Sequence, residues 1–391
     1  MPRALVIGGG IGGLTSGIAL RRKGWDVTVL ERAAKIDPVG SGLAIAANAL
    51  KALDTVDLGD LIRRLSRLQG QAGLRRQDGR WLLHTTTQNA EARYGDSAVI
   101  MLRATLMDVL IGALGADRLR LGTTVSGVDA ARGVVRTGDG DLEADLIVAA
   151  DGIHSKTRQA LFPEHPGPAY SGVTAWRGLI PRGDLNIQSS ESWGKGLVFG
   201  ISLLADDLVY VYATDVLPAG TALGNELEEL VRRFGDWHEP IPALLRAADP
   251  AKIIRNDIHH LSTPLPAYHK GKVALVGDAA HAMPPNLGQG ACQAIEDAIT
   301  LAYFADGDLA AYTAARLQRT TKVVRRSMSM SRMTQIRNPV AVWLRDTALS
   351  LATRLNPNLM LRSMDDVLGW RPPRSPASHG AEHPRGRQTT G

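Results

Sequence analysis

The sequence predicts an α/β fold: a parallel-sheet βαβ domain, interleaved with an antiparallel sheet and followed by C-terminal helices. Three observations carry this. Residues 4–32 read as strand, glycine turn, helix and strand. Two later apolar strands each end in an acidic residue and a turn, at Asp151-Gly152 and Gly277-Asp278. Between those two motifs, the segments 169–180, 196–202 and 208–214 alternate in the manner of antiparallel strands with polar turns.

The first segment organises the rest. Ala4 to Ile7 is a buried strand, and Gly8, Gly9, Gly10, Gly12 and Gly13 follow at once. Ile11, Leu14 and Ile18 then fall at helical spacing, Gly24 stops the helix, and Asp26 to Leu30 forms the next strand. Gly8, Gly10 and Gly13 make a G-x-G-x-x-G. Such a turn brings backbone N–H groups at a helix N-terminus against a pyrophosphate. Glu31 lies 18 residues after Gly13, where an acid holds a ribose diol, and Arg32 follows it. A turn that merely packs helix on sheet leaves Glu31 unexplained, so dinucleotide binding is the reading.

Composition is that of a globular protein, with 391 residues, 44% apolar and 21% charged. The net charge is +6, of which the last 21 residues supply +3, which argues against nucleic acid as a partner. A single cysteine, Cys292, excludes an internal disulfide and fits a reducing compartment. The N-terminus enters the first strand directly and no apolar run reaches spanning length, so the expectation is a cytoplasmic protein without a transmembrane segment.

Along the chain, helices are expected from about Asn48 and over 58–68, and short strands near Leu74 and Trp81. Residues 100–114 are apolar-periodic, with Arg103 near the start. Strands are expected at 119–128, 133–137 and 145–150, and helices at 225–234 and 241–247. The strand 273–276 leads to a loop stiffened by Pro284 and Pro285. A helix opens at Gly288, Gln289 and Gly290, carrying Ala291, Ile295, Ala298 and Ala302 on one face. Further helices cover 309–333, 339–355 and a short stretch after Pro357. The last 21 residues hold four prolines and no periodicity, and read as a disordered basic tail. Asp278 beside a helix N-terminus makes a seat for a flavin, with the ribityl chain on the acid and the reduced ring on the helix end.

Taken together, the glycine loop, the Asp151-Gly152 motif and the Gly277-Asp278 motif resemble the single-component FAD-dependent aromatic hydroxylases (group A flavin monooxygenases, para-hydroxybenzoate hydroxylase-like fold). The resemblance covers residues 4–334. It implies a Rossmann-like FAD-binding domain interleaved with an antiparallel-sheet substrate domain, plus C-terminal helices. The FAD-binding domain would take residues 1–75, 100–168 and 270–335, the substrate sheet 76–99 and 169–269, the helical segment 336–370 and the tail 371–391. It implies FAD as cofactor, NADH or NADPH as transient reductant, O2 as co-substrate and a flavin hydroperoxide that hydroxylates an aromatic, heteroaromatic or polycyclic small molecule. Arg103 resembles the family's FAD-contacting arginine, and Val125 the position whose backbone meets the adenine. Asp151 would serve the nicotinamide path, or in the plainer reading cap the next helix. Arg158 would pair with that acid or stand solvated. Pro285 resembles the loop proline beside the ring. Tyr210, with Tyr212 on the same strand face, would touch the substrate. No arginine lies in 196–202, which departs from members that take anionic aromatics and leans toward a larger, more apolar substrate. Trp176 and Arg177 would edge the pocket.

His281 reads as framework rather than base, Cys292 as a buried thiol, and no histidine spacing indicates a metal. The helix 339–355 would pack on its own domain, and the chain would be a monomer or homodimer. The alternatives are an FAD-dependent alkene epoxidase or prenyl-type reductase, and a non-catalytic binding protein.

Overall fold

The computed structural model describes residues 1–36, 40–65, 71–355 and 359–373 of the chain. Two sheets carry it. The first has six strands in the order His269–Lys270, Val273–Leu275, Leu146–Ala149, Arg3–Ile7, Asp26–Leu30, Leu119–Arg120. All neighbours are parallel except the edge strand His269–Lys270. Ala4, Leu5 and Val6 are wholly buried in its centre. That is why this strand reads as an unbroken apolar run rather than an alternating one. Helices Ile11–Arg22, Arg103–Leu114 and Gly290–Phe304 pack together beside it.

The second sheet has seven strands in the order Ile254–His260, Ala169–Pro181, Leu208–Val216, Leu197–Leu203, Ser190–Trp193, Gln71–Arg76, Trp81–Thr86. Neighbours are antiparallel except Ser190–Trp193 and Gln71–Arg76. Alternation splits its residues between two environments. Trp176, Phe199, Val209 and Val211 pack against Phe234, Ile241 and Leu244 of helices Glu226–Phe234 and Ile241–Ala247. The opposite face closes a cavity against the first sheet and its helices.

Several expectations change here. The strand Gln71–Arg76 pairs with Ser190–Trp193, so the chain crosses to the second sheet before Gln71 and not at residue 75. Residues Val99–Leu102, expected to open a helix, form a strand paired with Gly42–Ile45, and the helix starts at Arg103. A short apolar run carries no period of its own, and the partner strand decides. The expected strand 119–128 is two strands in different sheets, separated by Gly122 at φ +68°. The helix expected at 58–68 spans Gly59–Arg64, and 66–68 lie outside the described residues. Helices Pro339–Leu355 and Leu359–Ser363 are present; Pro357 and the tail from residue 374 lie outside the described residues. Among the described residues, no helix is long and apolar enough to cross a membrane.

Candidate active site

The glycine loop is shaped by contacts that leave no room for side chains. A Cβ on Gly8 would lie 2.3 Å from the Ala150 carbonyl oxygen, and one on Gly13 only 1.9 Å from that of Gly8. Gly8 also holds φ at +107°, which favours glycine. Gly10 is the opposite case, since a Cβ there meets nothing within 4 Å and points into the cavity. Gly10 caps the helix Ile11–Arg22 with no side-chain hydrogen bond, leaving the first N–H groups open to an anion. Glu31 folds back over this loop. One oxygen accepts from the Gly9 N–H at 2.7 Å and the other from the Ala33 N–H at 2.9 Å.

The second component is the turn after Val273–Leu275. Its Gly277 N–H donates to Asp297 at 2.8 Å, which anchors the turn to the helix Gly290–Phe304. Asp278 then faces the cavity, as does Arg103. Burial raises the Asp278 pKa against the opposing pull of His281 and Arg103. Burial likewise lowers that of Arg103, opposed by Asp278. Pro285, Gly288, Gly290 and Ala291 line the same space, and the helix opens at Gln289 without a side-chain cap. Its free N–H groups favour negative charge in front of them.

The third component is the wall of the second sheet. Tyr210, Tyr212 and Thr214 point into the cavity from one strand, joined by Arg177 and Ser202 from its two neighbours and by Glu191 from the strand beyond. Tyr212 donates to Glu191 Oε2 at 2.5 Å, and the Trp193 indole donates to Oε1. Burial raises the pKa of Tyr210, which Arg177 opposes. The enclosed volume is about 660 Å³, in the range of small-molecule sites.

These residues fit a flavin dinucleotide. Bare backbone at Gly10, Gly152 and Gly290 borders open space where any Cβ would intrude, beside one uncapped helix start and close to another. Residues 2–190 and 249–327 match the family model described as FAD binding domain. The chain belongs to this family of FAD-dependent hydroxylases. It is 37% identical over 360 residues to the aurachin C monooxygenase/isomerase of Stigmatella aurantiaca, covering 89% of this chain and 93% of that one. It is 32% identical over 381 residues to the 2-heptyl-3-hydroxy-4(1H)-quinolone synthase of Pseudomonas aeruginosa, covering 93% and 97%. Among solved structures, Klebsiella pneumoniae HpxO complexed with FAD and uric acid superposes with a TM-score of 0.86 at 27% identity, covering 94% of this chain and 96% of that one.

In this FAD-dependent hydroxylase several of the residues singled out in the sequence are held by bonds within the protein. Asp151 bonds the start of the next helix, whose cap is Ser155: one oxygen accepts from the Ser155 hydroxyl at 2.6 Å, the other from the Thr157 N–H at 3.1 Å. Arg158 is buried, donates to the Ala279 and Ile153 carbonyls, and feels the charge of Asp151 without a direct bond to it. The Gln289 side chain turns away from the cavity and accepts from Asn48 and Gln293. Val125 does not line the cavity; it stands two residues beyond Thr123, whose N–H donates to the Glu31 carbonyl. Arg32 is exposed outside the cavity. Trp176 faces the apolar core and donates to Glu226 at 2.6 Å, while its neighbour Arg177 faces the cavity. His281 bonds Asp297 at 2.5 Å as framework. Cys292 is buried, which pushes its pKa up to about 12 instead of down.

The residues that sequence reasoning missed are Glu191 and a buried network. Glu296 and Asp297 hold Arg316, with Arg319 and Asn48 on Glu296. A pair of adjacent acids in an otherwise apolar helix was the available signal.

Proposed function

We propose that this enzyme hydroxylates a neutral heteroaromatic ring of the quinolone type bearing an apolar substituent, with NADH or NADPH as transient reductant and O2 as co-substrate. The observation that carries the reading is the wall opposite the glycine loop. It mixes apolar Val173, Val198 and Ile258 with Tyr210 and Tyr212, and it sets an acid, Glu191, beside the one arginine of this wall, Arg177. Similarity to proteins named for aurachin and for a heptyl quinolone supports the same substrate class.

Bound FAD supplies the electron transfer and the oxygen insertion. The chain supplies the rest. The open N–H groups at the start of Ile11–Arg22 would hold the pyrophosphate, Asp278 the ribityl hydroxyls and Glu31 the ribose diol. The start of Gly290–Phe304 would stabilise negative charge on the ring system. Tyr210, kept protonated by burial, donates to a substrate oxygen. Pro285 stiffens the loop that borders the reacting end, and the sheet excludes water.

The test is a flavin spectrum, followed by anaerobic reduction with each nicotinamide over a panel of quinolones and simple phenols, and product analysis under labelled oxygen. The expected result is faster reduction with an alkyl quinolone and one labelled oxygen in the product. Reduction accelerated by none of the panel, or a product without label, would overturn it.

A further inference from the structure

Besides Asp278, Glu191 is an acid that lines the cavity, and the second sheet is arranged to keep it there. Glu191, Gly200, Tyr212 and Arg177 form one transverse row, each paired in register with the next across four strands. Glu191 and Tyr212 are thus two strands apart, roughly 10 Å between their backbones. Tyr212 spans that gap because position 200 is glycine: a Cβ there would lie 2.0 Å from the Tyr212 ring. The tyrosine lies flat over Gly200 and delivers its hydroxyl to Glu191. Trp193, on the same strand as Glu191, delivers its indole N–H to the other carboxylate oxygen.

A carboxylate has about four acceptor sites. Two donors occupy one on each oxygen, so the remaining acceptor capacity is free for the cavity that Glu191 lines. Among the described residues no lysine or arginine is ion-paired with it. Leaving an unpaired acid at a cavity wall costs free energy unless a donor comes to it. Burial raises the Glu191 pKa, the bonds from Tyr212 and Trp193 oppose that rise, and together the two donors fix the carboxyl group as a preorganised acceptor.

We propose that Glu191 is the specificity-determining acceptor for a ring N–H of the substrate, positioned by Tyr212 across Gly200 and by Trp193. This rests on the heteroaromatic reading above and deepens it: the ring carries a hydrogen-bond donor, and rings whose corresponding atom is alkylated or anionic are rejected. A hydrogen bond to a charged group has a worth that corresponds to about tenfold to a hundredfold in affinity.

The experiment compares 2-heptyl-4(1H)-quinolone with its N-methyl analogue on the FAD-loaded protein, by calorimetric Kd and by stimulated NAD(P)H oxidation. Wild type is expected to prefer the N–H compound by about tenfold or more. Glu191→Gln exchanges one of the two oxygens for an NH2 donor and is expected to shrink the preference, and Glu191→Leu removes both oxygens and is expected to abolish it. Tyr212→Phe keeps the carboxyl group but removes one of its two anchors, and is expected to shrink the preference without erasing it. Should the Glu191 variants fail to retain FAD, Tyr212→Phe decides alone. An unchanged preference in the variants, or a wild type that binds neither compound, would overturn the proposal. A wild type that hydroxylates another aromatic without any N–H preference overturns the acceptor and leaves the function standing. One that binds with the preference yet never inserts oxygen keeps the acceptor and removes the function.

Discussion

Replacing Gly10 by alanine separates the two things a glycine loop does. At Gly10 the backbone has φ −78° and ψ −178°, a conformation open to any residue, and a Cβ meets nothing within 4 Å. The apoprotein therefore tolerates the methyl. Reduced freedom of the unfolded chain and the altered helix cap each move stability by less than about 1 kcal/mol, in opposite directions. The methyl projects into the cavity at the uncapped end of Ile11–Arg22 and keeps an anion from closing on the N–H groups there. Losing one charge-assisted hydrogen bond costs about 1.5–3 kcal/mol. Weakening the helix-end interaction adds roughly 0.5–1 kcal/mol. The FAD Kd should rise about 30- to 1,000-fold. Gly13→Ala is the contrast: its Cβ would sit 1.9 Å from the Gly8 carbonyl oxygen, so the loop itself must move. That variant should lose about 1–3 kcal/mol of apoprotein stability as well. Fluorescence titration with FAD and urea unfolding of the apoproteins measure both quantities. The reasoning fails if Gly10→Ala binds FAD like wild type, or if its apoprotein is weakened as much as that of Gly13→Ala.

Two further outcomes follow from the helix Gly290–Phe304. Burial alone would raise the Asp297 pKa, but His281, Arg316 and the Gly277 N–H outweigh it and bring it from 3.8 down to about 2. A folded-state value below the unfolded one means stability that is complete above about pH 4 and lost as pH falls through about 2, worth about 2 kcal/mol. Asp297→Asn should remove that part of the acid dependence and cost about 3–5 kcal/mol at neutral pH, by leaving Arg316 short of one acidic partner. Urea midpoints at pH 7 and pH 3 measure it, and a wild-type pH slope in the variant would refute it. The Cys292 thiol, with its pKa raised to about 12 by burial, should react with iodoacetamide at pH 8 far more slowly in the folded protein than in urea. Prompt labelling of the folded protein would contradict this.

What could be read along the chain was whatever short-range pattern enforces. The strand Arg3–Ile7 is apolar from Ala4 onward because that part is buried in the core, and the glycines after it have spacings that only a tight turn explains. Asp278 was legible because a strand delivers it directly, and Tyr210 and Tyr212 because strand alternation puts them on one face. Asp151 was legible as a position, with its bonds to Ser155 and Thr157 in keeping with the plainer of the two expectations. At Gln289 the start of the helix was legible but the direction of the side chain was not. The turn at Gly288 sets the side chain toward Asn48, 241 residues away in sequence, and no local pattern records that bond.

By itself the sequence determined the nucleotide loop, the two acid-bearing turns, and an antiparallel sheet inserted between them. Each is specified by residues a few positions apart, through periodicity, glycine sterics and strand length. Only the tertiary structure decided that Glu191 reaches the cavity, that Gly200 clears the path for Tyr212, and that Arg316 sits between Glu296 and Asp297 beneath the Asp278 turn. Those arrangements depend on strand order and helix packing between distant segments. Register across a sheet is set by which strands become neighbours, a choice made by the burial of whole faces and not by any one stretch of chain.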